Sequence, residues 1–411
     1  MGDILKMDTD LIYDLCIVGA GMFGSAAARH ASANPRVKVC LIGPVEPTVE
    51  ERKHREIFSS HYDEGRIVQT VDEINPLYIL SKQSISRYNE LQKLSGIRFY
   101  SPLGSLMVAE KDSYDMIELV NSCHNNDIPF VDLSDDETFK KRFPYLQLDE
   151  CVSRIFDDNG AGLINARMFI EAQKKVATIQ GCHIVEDVVE EVKDLEQGMH
   201  MVIGEKGIIR ARRILICTGA FTNYKKFHPL KELNMIVNKE TVAMPRISEA
   251  SARIISSMPP MLYLKNNEDE ELSMGGYYIL PPVKYPDGGH YLKIGRLGLL
   301  HDCPNPTLPE IKEWYNCIGD PEQISEMSTI LKKLLPCIEF EEISSKTCLT
   351  CHNETCLPYI DRITPTFSIA VVGNGVGASI SDEVGRIAAE LSISGKWDSS
   401  LPKSIFQAIF K

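Results

Sequence analysis

The chain has 411 residues, 44% of them hydrophobic and 25% charged, a globular composition with no disordered or collagenous bias. A formal net charge of −13 argues against nucleic acid as a partner, because phosphate backbones need a basic surface. No stretch reaches the roughly 18 uncharged apolar residues of a membrane span.

In chain order, residues 13–18 form an apolar strand that enters a glycine turn. An alanine-rich helix is expected over 25–33 and a second strand over 37–42, completing a βαβ unit. The first apolar run is too short for a secretory leader. Twelve cysteines without a leader are expected to remain thiols, which makes the cytosol the default location. Residues 98–109 and 277–295 read as β-hairpins, the latter with Pro286-Asp287-Gly288-Gly289 at its turn. Residues 213–217 form another apolar strand, ending in Thr218-Gly219-Ala220. Residues 368–372 form a strand that enters Gly373-Asn374-Gly375-Val376-Gly377, with a helix expected over 381–394 and stopped at Gly395. Nucleotide-type elements thus occur at the start, middle and end of the chain.

The fold class that follows is mixed α/β (α+β). A dinucleotide-binding domain is built from residues 11–97, 157–232 and 345–411, and a β-rich substrate domain from 98–156 and 233–344. A ligand is expected in the crevice between them.

Gly19-Ala20-Gly21-Met22-Phe23-Gly24 is the G-x-G-x-x-G fingerprint, between a strand and a helix. Gly19 permits the tight turn, Gly21 lets the backbone approach a pyrophosphate, and Gly24 allows close helix packing, with the helix N-terminus facing the phosphates. The acid expected at the end of the second strand, to hold the adenosine ribose, is absent. Gly43 stands there, and Glu46 is the nearest acid. This departure weakens NAD more than FAD, whose flavin end brings contacts of its own.

With these landmarks in order, the chain resembles the monomeric sarcosine oxidase family, which includes N-methyltryptophan and pipecolate oxidases. The further matches are Ser60-His61-Tyr62-Asp63-Glu64-Gly65-Arg66-Ile67, Phe99 to Ala109, Arg142-Phe143-Pro144, Thr218-Gly219-Ala220, Tyr291-Leu292-Lys293-Ile294-Gly295, Lys346-Thr347-Cys348 and the final glycine-rich loop. The resemblance implies bound FAD, oxidation of a C–N bond of a small-molecule amine with dioxygen as acceptor, hydrogen peroxide as product, and a monomer.

It also implies site roles. Lys293 is where dioxygen would be activated, since a fixed cation stabilises superoxide in a low-dielectric site; strand alternation alone lets it face solvent or a pocket. Arg66 matches the flavin-proximal arginine, against the plainer alternative of a surface ion pair with Asp63 or Glu64. Cys348 matches the cysteine that carries flavin covalently in several members, against that of a small buried hydrophobe. The cofactor is expected to meet Gly19, Gly21, Met22, Phe23, Gly24, Arg66, Thr218, Gly219, Cys348, Gly373, Gly375, Gly377 and Ser379. The substrate is expected to meet His61, Tyr62, Gln69, Tyr278 and Ser379. Gln69 and Ser379 stand where the family holds a substrate carboxylate with an arginine and a lysine, and Leu297 stands where a histidine is expected; Arg296 is the one nearby cation able to replace them.

Cys348-Leu349-Thr350-Cys351-His352 also has the C-x-x-C-H spacing of haem attachment, and Cys356 extends it toward a zinc cluster. Haem attachment needs export, and zinc needs four well-placed ligands with no second paired cluster elsewhere in the chain, so no metal is expected. The rival functions are a flavin dehydrogenase with another acceptor, a flavin-containing binding protein without turnover, and an NAD-dependent enzyme.

Overall fold

The structure, a computed structural model, describes residues 11–149, 151–265, 275–298 and 304–411. Strands Leu15–Val18, Val39–Ile42, Ile214–Ile216 and Phe367–Val371 are buried at every position, as expected of a sheet covered on both faces. They belong to a six-stranded sheet in the order 183–185, 39–42, 15–18, 214–216, 367–371, 359–364. Neighbours run parallel except the last pair. Segments from the start, middle and end of the chain therefore lie side by side.

Helices Met22–Ser32 and Gly377–Ser394 pack against each other over this sheet. A Cβ on Gly385 would lie 2.6 Å from Ala26 Cβ and from Ala27 N, so the alanine face of the first helix needs a glycine opposite it. The fully buried Asp382 ties the two helices to their neighbours. It accepts hydrogen bonds from Arg29 (2.5 Å), Arg87 (2.6 Å) and Gln173 (2.8 Å). Removing the carboxylate would leave Arg29 without its acidic partner, while Arg87 keeps Glu383, at a cost of about 3–5 kcal/mol.

A second, eight-stranded sheet runs in the order 342–352, 236–247, 290–297, 275–284, 261–265, 105–110, 152–157, 131–132. Ala243, Ile279, Leu292 and Ile294 on one face pack with Met327, Leu331 and Leu334 of helix Pro321–Leu334; their three- to four-residue repeat is a helix stripe. Alternation sends Tyr278, Lys293, Lys346, Cys348 and Thr350 to the opposite face. The register agrees, pairing Tyr278 and Val242 with Gly295, Val242 with Lys346 and Glu240 with Cys348. Among the described residues no helix is long and apolar enough to cross a membrane.

Three local expectations are corrected. Both nucleotide-type helices start earlier than expected, at Met22 and Gly377, with no side-chain cap at Gly21 or Val376; the serines at 25 and 381 lie inside the helices, and no side chain covers the N-terminal N–H groups. Residues 13–18 divide at Asp14. Ile12–Tyr13 pairs with 210–211 in a five-stranded sheet, whereas Leu15–Val18 pairs in the six-stranded one. Residues 98–109 are not a hairpin: Tyr100–Ser101 pairs with 163–164, and Ser105–Glu110 pairs with 152–157 in a different sheet. Gly104, at φ 75°, makes the switch, and any Cβ there would strike the Phe156 ring at 2.1 Å. The 277–295 hairpin forms as expected, from Gly275–Lys284 and His290–Leu297.

Candidate active site

Two glycine turns meet at the same end of the six-stranded sheet. Gly19 has φ 108°, and a Cβ on Gly24 would sit 1.8 Å from Gly19 O, so the helix can only start there with glycine. Gly43 closes the turn from the other side, since its Cβ would lie 2.5 Å from Ala20 N. That contact is the physical reason no acid ends the second strand. The nearest acid, Glu46, is committed elsewhere, in two 2.6 Å bonds from Arg167.

Several glycines instead border open space. A Cβ on Gly219 would meet nothing within 4 Å, while those on Gly21, Gly375 and Gly377 would come only within 3.7–3.9 Å of Ser59 Oγ, His352 Cε1 and Phe23 Cε1. Thr218 turns its hydroxyl to Thr222 at 3.0 Å. Gly373 accepts from Val376 N at 2.9 Å, shaping the final loop. Met22 and Phe23 are partly buried and pack beneath these turns.

The chemistry-bearing groups converge on the polar face of the large sheet. Lys293 is only 3% exposed, so it faces a pocket and not solvent. Its Nζ donates to Asp63 Oδ2 at 2.5 Å and to Gly65 O at 3.3 Å, and stands 5.6 Å from the Tyr278 ring centroid. Gly295, two residues on, is needed for this arrangement, because its Cβ would strike the Tyr278 ring at 2.4 Å. Arg66 also donates to Asp63 Oδ2, as well as to Ser60 O at 2.5 Å. The Asp63 pair anticipated for Arg66 therefore exists, but it is buried and shared with Lys293. Tyr285 donates to Asp63 Oδ1 at 2.6 Å, and Lys346 Nζ lies 3.6 Å from that oxygen.

Charge at this cluster follows from burial and neighbours. Burial, then Arg66, push Lys293 down to about 8, with Asp63 opposing the fall. Burial favours the neutral acid at Asp63, but Lys293, Arg66 and Lys346 together hold its carboxyl well below the usual range. Cys348 shares a small cavity with Arg66, Lys293, Tyr62, Tyr315 and Lys346, and burial raises its thiol to about 11 against the pull of Arg66.

Other expected residues fall around this centre. Tyr62 lines the cavity. His61 bonds Ser59 Oγ through Nδ1 at 2.6 Å, on the side of Gly21, and burial lowers its ring to about 3. Gln69 and Ser379 do meet: Gln69 N donates to Ser379 Oγ at 3.2 Å. Arg296 points to the other face of the sheet and pairs with Glu326, so it does not replace a carboxylate-binding cation. Within the C-x-x-C-H run, Cys348 faces the cavity, whereas Cys351 packs in the apolar core on the other side of the strand.

The FAD dependent oxidoreductase family matches residues 14–391 of this chain. The chain belongs to that family. It is 23% identical to the monomeric sarcosine oxidase of a Bacillus species, over 96% of this chain and 95% of that one. Identity to the enzyme of the same name from an Arthrobacter species is 24%, over 96% and 95%. Among solved structures it is similar to NikD, an unusual amino acid oxidase essential for nikkomycin biosynthesis, with a TM-score of 0.75 at 16% identity over 97% of both chains. Similarity to the glycine oxidase of Geobacillus kaustophilus gives 0.69, at 16% identity over 96% and 98%.

The oxidoreductase's residues fit an FAD. The open glycine positions form a cradle that Cβ atoms would fill, and both helix N-termini lack side-chain caps. Among the described residues, Asn374 Nδ2 in the final loop and Gln69 Oε1 are buried without protein partners, as suits groups that bond a bound ligand.

Tyr285 and Glu240 escaped the sequence analysis, as did the convergence of Lys293, Tyr285 and Lys346 on Asp63. Lys346 carried a signal, because two residues before Cys348 on a strand means the same face. Half-buried Glu240 pairs across the sheet with Cys348 and accepts from Thr350 Oγ1 at 2.7 Å. The pairing of Tyr285 with Asp63 had none, because 222 residues separate these partners.

Proposed function

We propose that this chain is an FAD-dependent oxidase of a secondary or N-substituted amine, either amino-acid-derived or a cyclic imino compound, yielding an imine and hydrogen peroxide. The observation that carries this reading is the buried ammonium of Lys293, held in one cavity with Arg66 and Cys348. A dehydrogenase that excludes dioxygen has no need of such a cation.

Bound FAD would supply the two-electron acceptor for the amine and the donor to dioxygen. Lys293 holds a positive charge where dioxygen takes up electrons, in a site of low dielectric. Arg66 would add a second positive charge where the flavin is held. Gly19, Gly21, Met22, Phe23, Gly24, Thr218, Gly219, Gly373, Gly375, Gly377 and Ser379 would hold the cofactor, with Cys348 as its covalent anchor. Tyr62 and Tyr278 wall the space for the amine, and His61, Gln69 and Ser379 complete its polar lining. The cofactor unit is 11–97, 157–232 and 345–411, and the substrate unit 98–156 and 233–344; the enzyme acts as a monomer.

An absorption spectrum followed by anaerobic titration with an amine panel tests the reading. The expected result is a yellow protein with stoichiometric FAD, bleached by secondary amines and releasing peroxide in air. A protein without flavin, or a flavin that no amine reduces, refutes it.

A further inference from the structure

Resting on the oxidase reading above, we propose that Asp63 is a positioning residue for Lys293. Its carboxylate fixes the ammonium in the cavity and keeps it charged, so that Asp63 sets the pH range over which the reduced enzyme reacts with dioxygen.

The geometry is specific. Lys293 comes from strand His290–Leu297 and Asp63 from the loop before strand Arg66–Val68, and the two side chains meet at 2.5 Å, each about 4% exposed. Asp63 is itself held from several sides. The Tyr285 hydroxyl donates to Oδ1 at 2.6 Å, as does Glu64 N at 2.9 Å, while Arg66 joins Lys293 on Oδ2. The carboxylate can therefore neither rotate away nor be replaced by water without breaking several bonds.

Every other charge facing Lys293 opposes its proton or is weaker. Arg66 and Lys346, the latter 3.6 Å from Asp63, are cations and repel it. Tyr278 and Tyr285 are held neutral by burial, and burial raises the Cys348 thiol. Glu64 is turned to Arg167 at 2.7 Å. Among the described residues Asp63 is the one carboxylate in ion-pair contact with Lys293. A lysine buried among cations loses its proton readily, so the charge that dioxygen reduction needs depends on this single acid. Three cations face one carboxylate here, and the surplus positive charge stays available to the reaction.

Asp63→Asn keeps the shape and removes the charge. The test is the pH profile of reoxidation of amine-reduced enzyme, by stopped-flow mixing with dioxygen, together with the dissociation constant of the flavin–sulfite adduct. The parent profile is expected to break at about 8. In Asp63→Asn the break moves below about 7, a loss of at least one unit for a lost buried counter-charge. Rates at pH 6 then agree within about twofold, and the variant is about three- to 25-fold slower at pH 7.5. Sulfite, which adds as an anion, binds several-fold tighter to the variant at pH 6, where both proteins keep Lys293 charged. Asp63→Glu restores the parental break, and Asp63→Ser serves as a second neutral variant if the amide does not pack. A purely structural role for Asp63 would lower rates at all pH values and leave the break in place, and that result overturns the proposal. A parent that binds no flavin instead refutes the oxidase reading on which it rests.

Discussion

Lys293 offers the sharpest test of the chemistry. With its ammonium at about 8, roughly nine-tenths of the molecules carry the charge at pH 7 and roughly one-tenth at pH 9. If the charge drives electron transfer to dioxygen, the reoxidation rate constant is flat below pH 7 and falls about tenfold per unit above pH 8. Lys293→Met removes the charge at every pH while preserving length and apolar volume. Asp63 keeps Arg66, Tyr285 and Lys346 as partners in that variant, so the fold is expected to survive. Loss of a fixed cation at a developing anion in a water-poor site costs about 3–4 kcal/mol, which is roughly two to three orders of magnitude in rate. The assay is anaerobic reduction by amine, then mixing with oxygenated buffer and following recovery of the flavin absorbance. Reduction by amine should change little. A Lys293→Met enzyme that reoxidises at the parental rate, or a parental profile without a break near pH 8, would falsify the role given to Lys293.

Three further outcomes are expected. Acid precipitation of the parent should leave the yellow colour in the pellet, and Cys348→Ala should release FAD to the supernatant; free flavin from the parent refutes the covalent anchor alone. Sarcosine should be turned over poorly, because Gln69 and Ser379 offer its carboxylate no charge and Arg296 is engaged by Glu326. Ser379→Lys should then raise kcat/KM for sarcosine at least tenfold, since a paired buried carboxylate gains about 2–5 kcal/mol over an unpaired one, and an unchanged value contradicts that view of the pocket. Burial raises the Glu240 carboxyl to about 7 against the Thr350 hydrogen bond, so the folded protein binds this proton more tightly than the unfolded chain. Stability from this group is full below about pH 4.3 and fades as pH rises through 7. Glu240→Gln should therefore match the parent near pH 4–5 and exceed it by about 1–2 kcal/mol at pH 8, a range reduced for solvent reaching the carboxylate. Equal denaturation midpoints at pH 8 argue against it.

The sequence by itself determined the elements whose causes are local. The fingerprint at Gly19, Gly21 and Gly24 is legible because a tight turn and a close helix start admit only glycine. Buried strands show as unbroken apolar runs at 15–18, 39–42 and 214–216. Alternation narrowed Lys293 to two faces, and the order of landmarks made FAD and an amine the natural ligands. Local rules failed where a chain segment is shared between sheets, as at Asp14 and Gly104, because pairing partners far along the chain decide which ladder a strand joins. Only the tertiary structure put Lys293 on the inner face, explained the missing acid at Gly43 by its contact with Ala20, and withdrew Arg296 from the pocket. Only it revealed Asp63 as the shared partner of Arg66, Lys293, Tyr285 and Lys346. Those four come from segments up to 283 residues away, and no spacing in a sequence records which distant charges share one buried carboxylate.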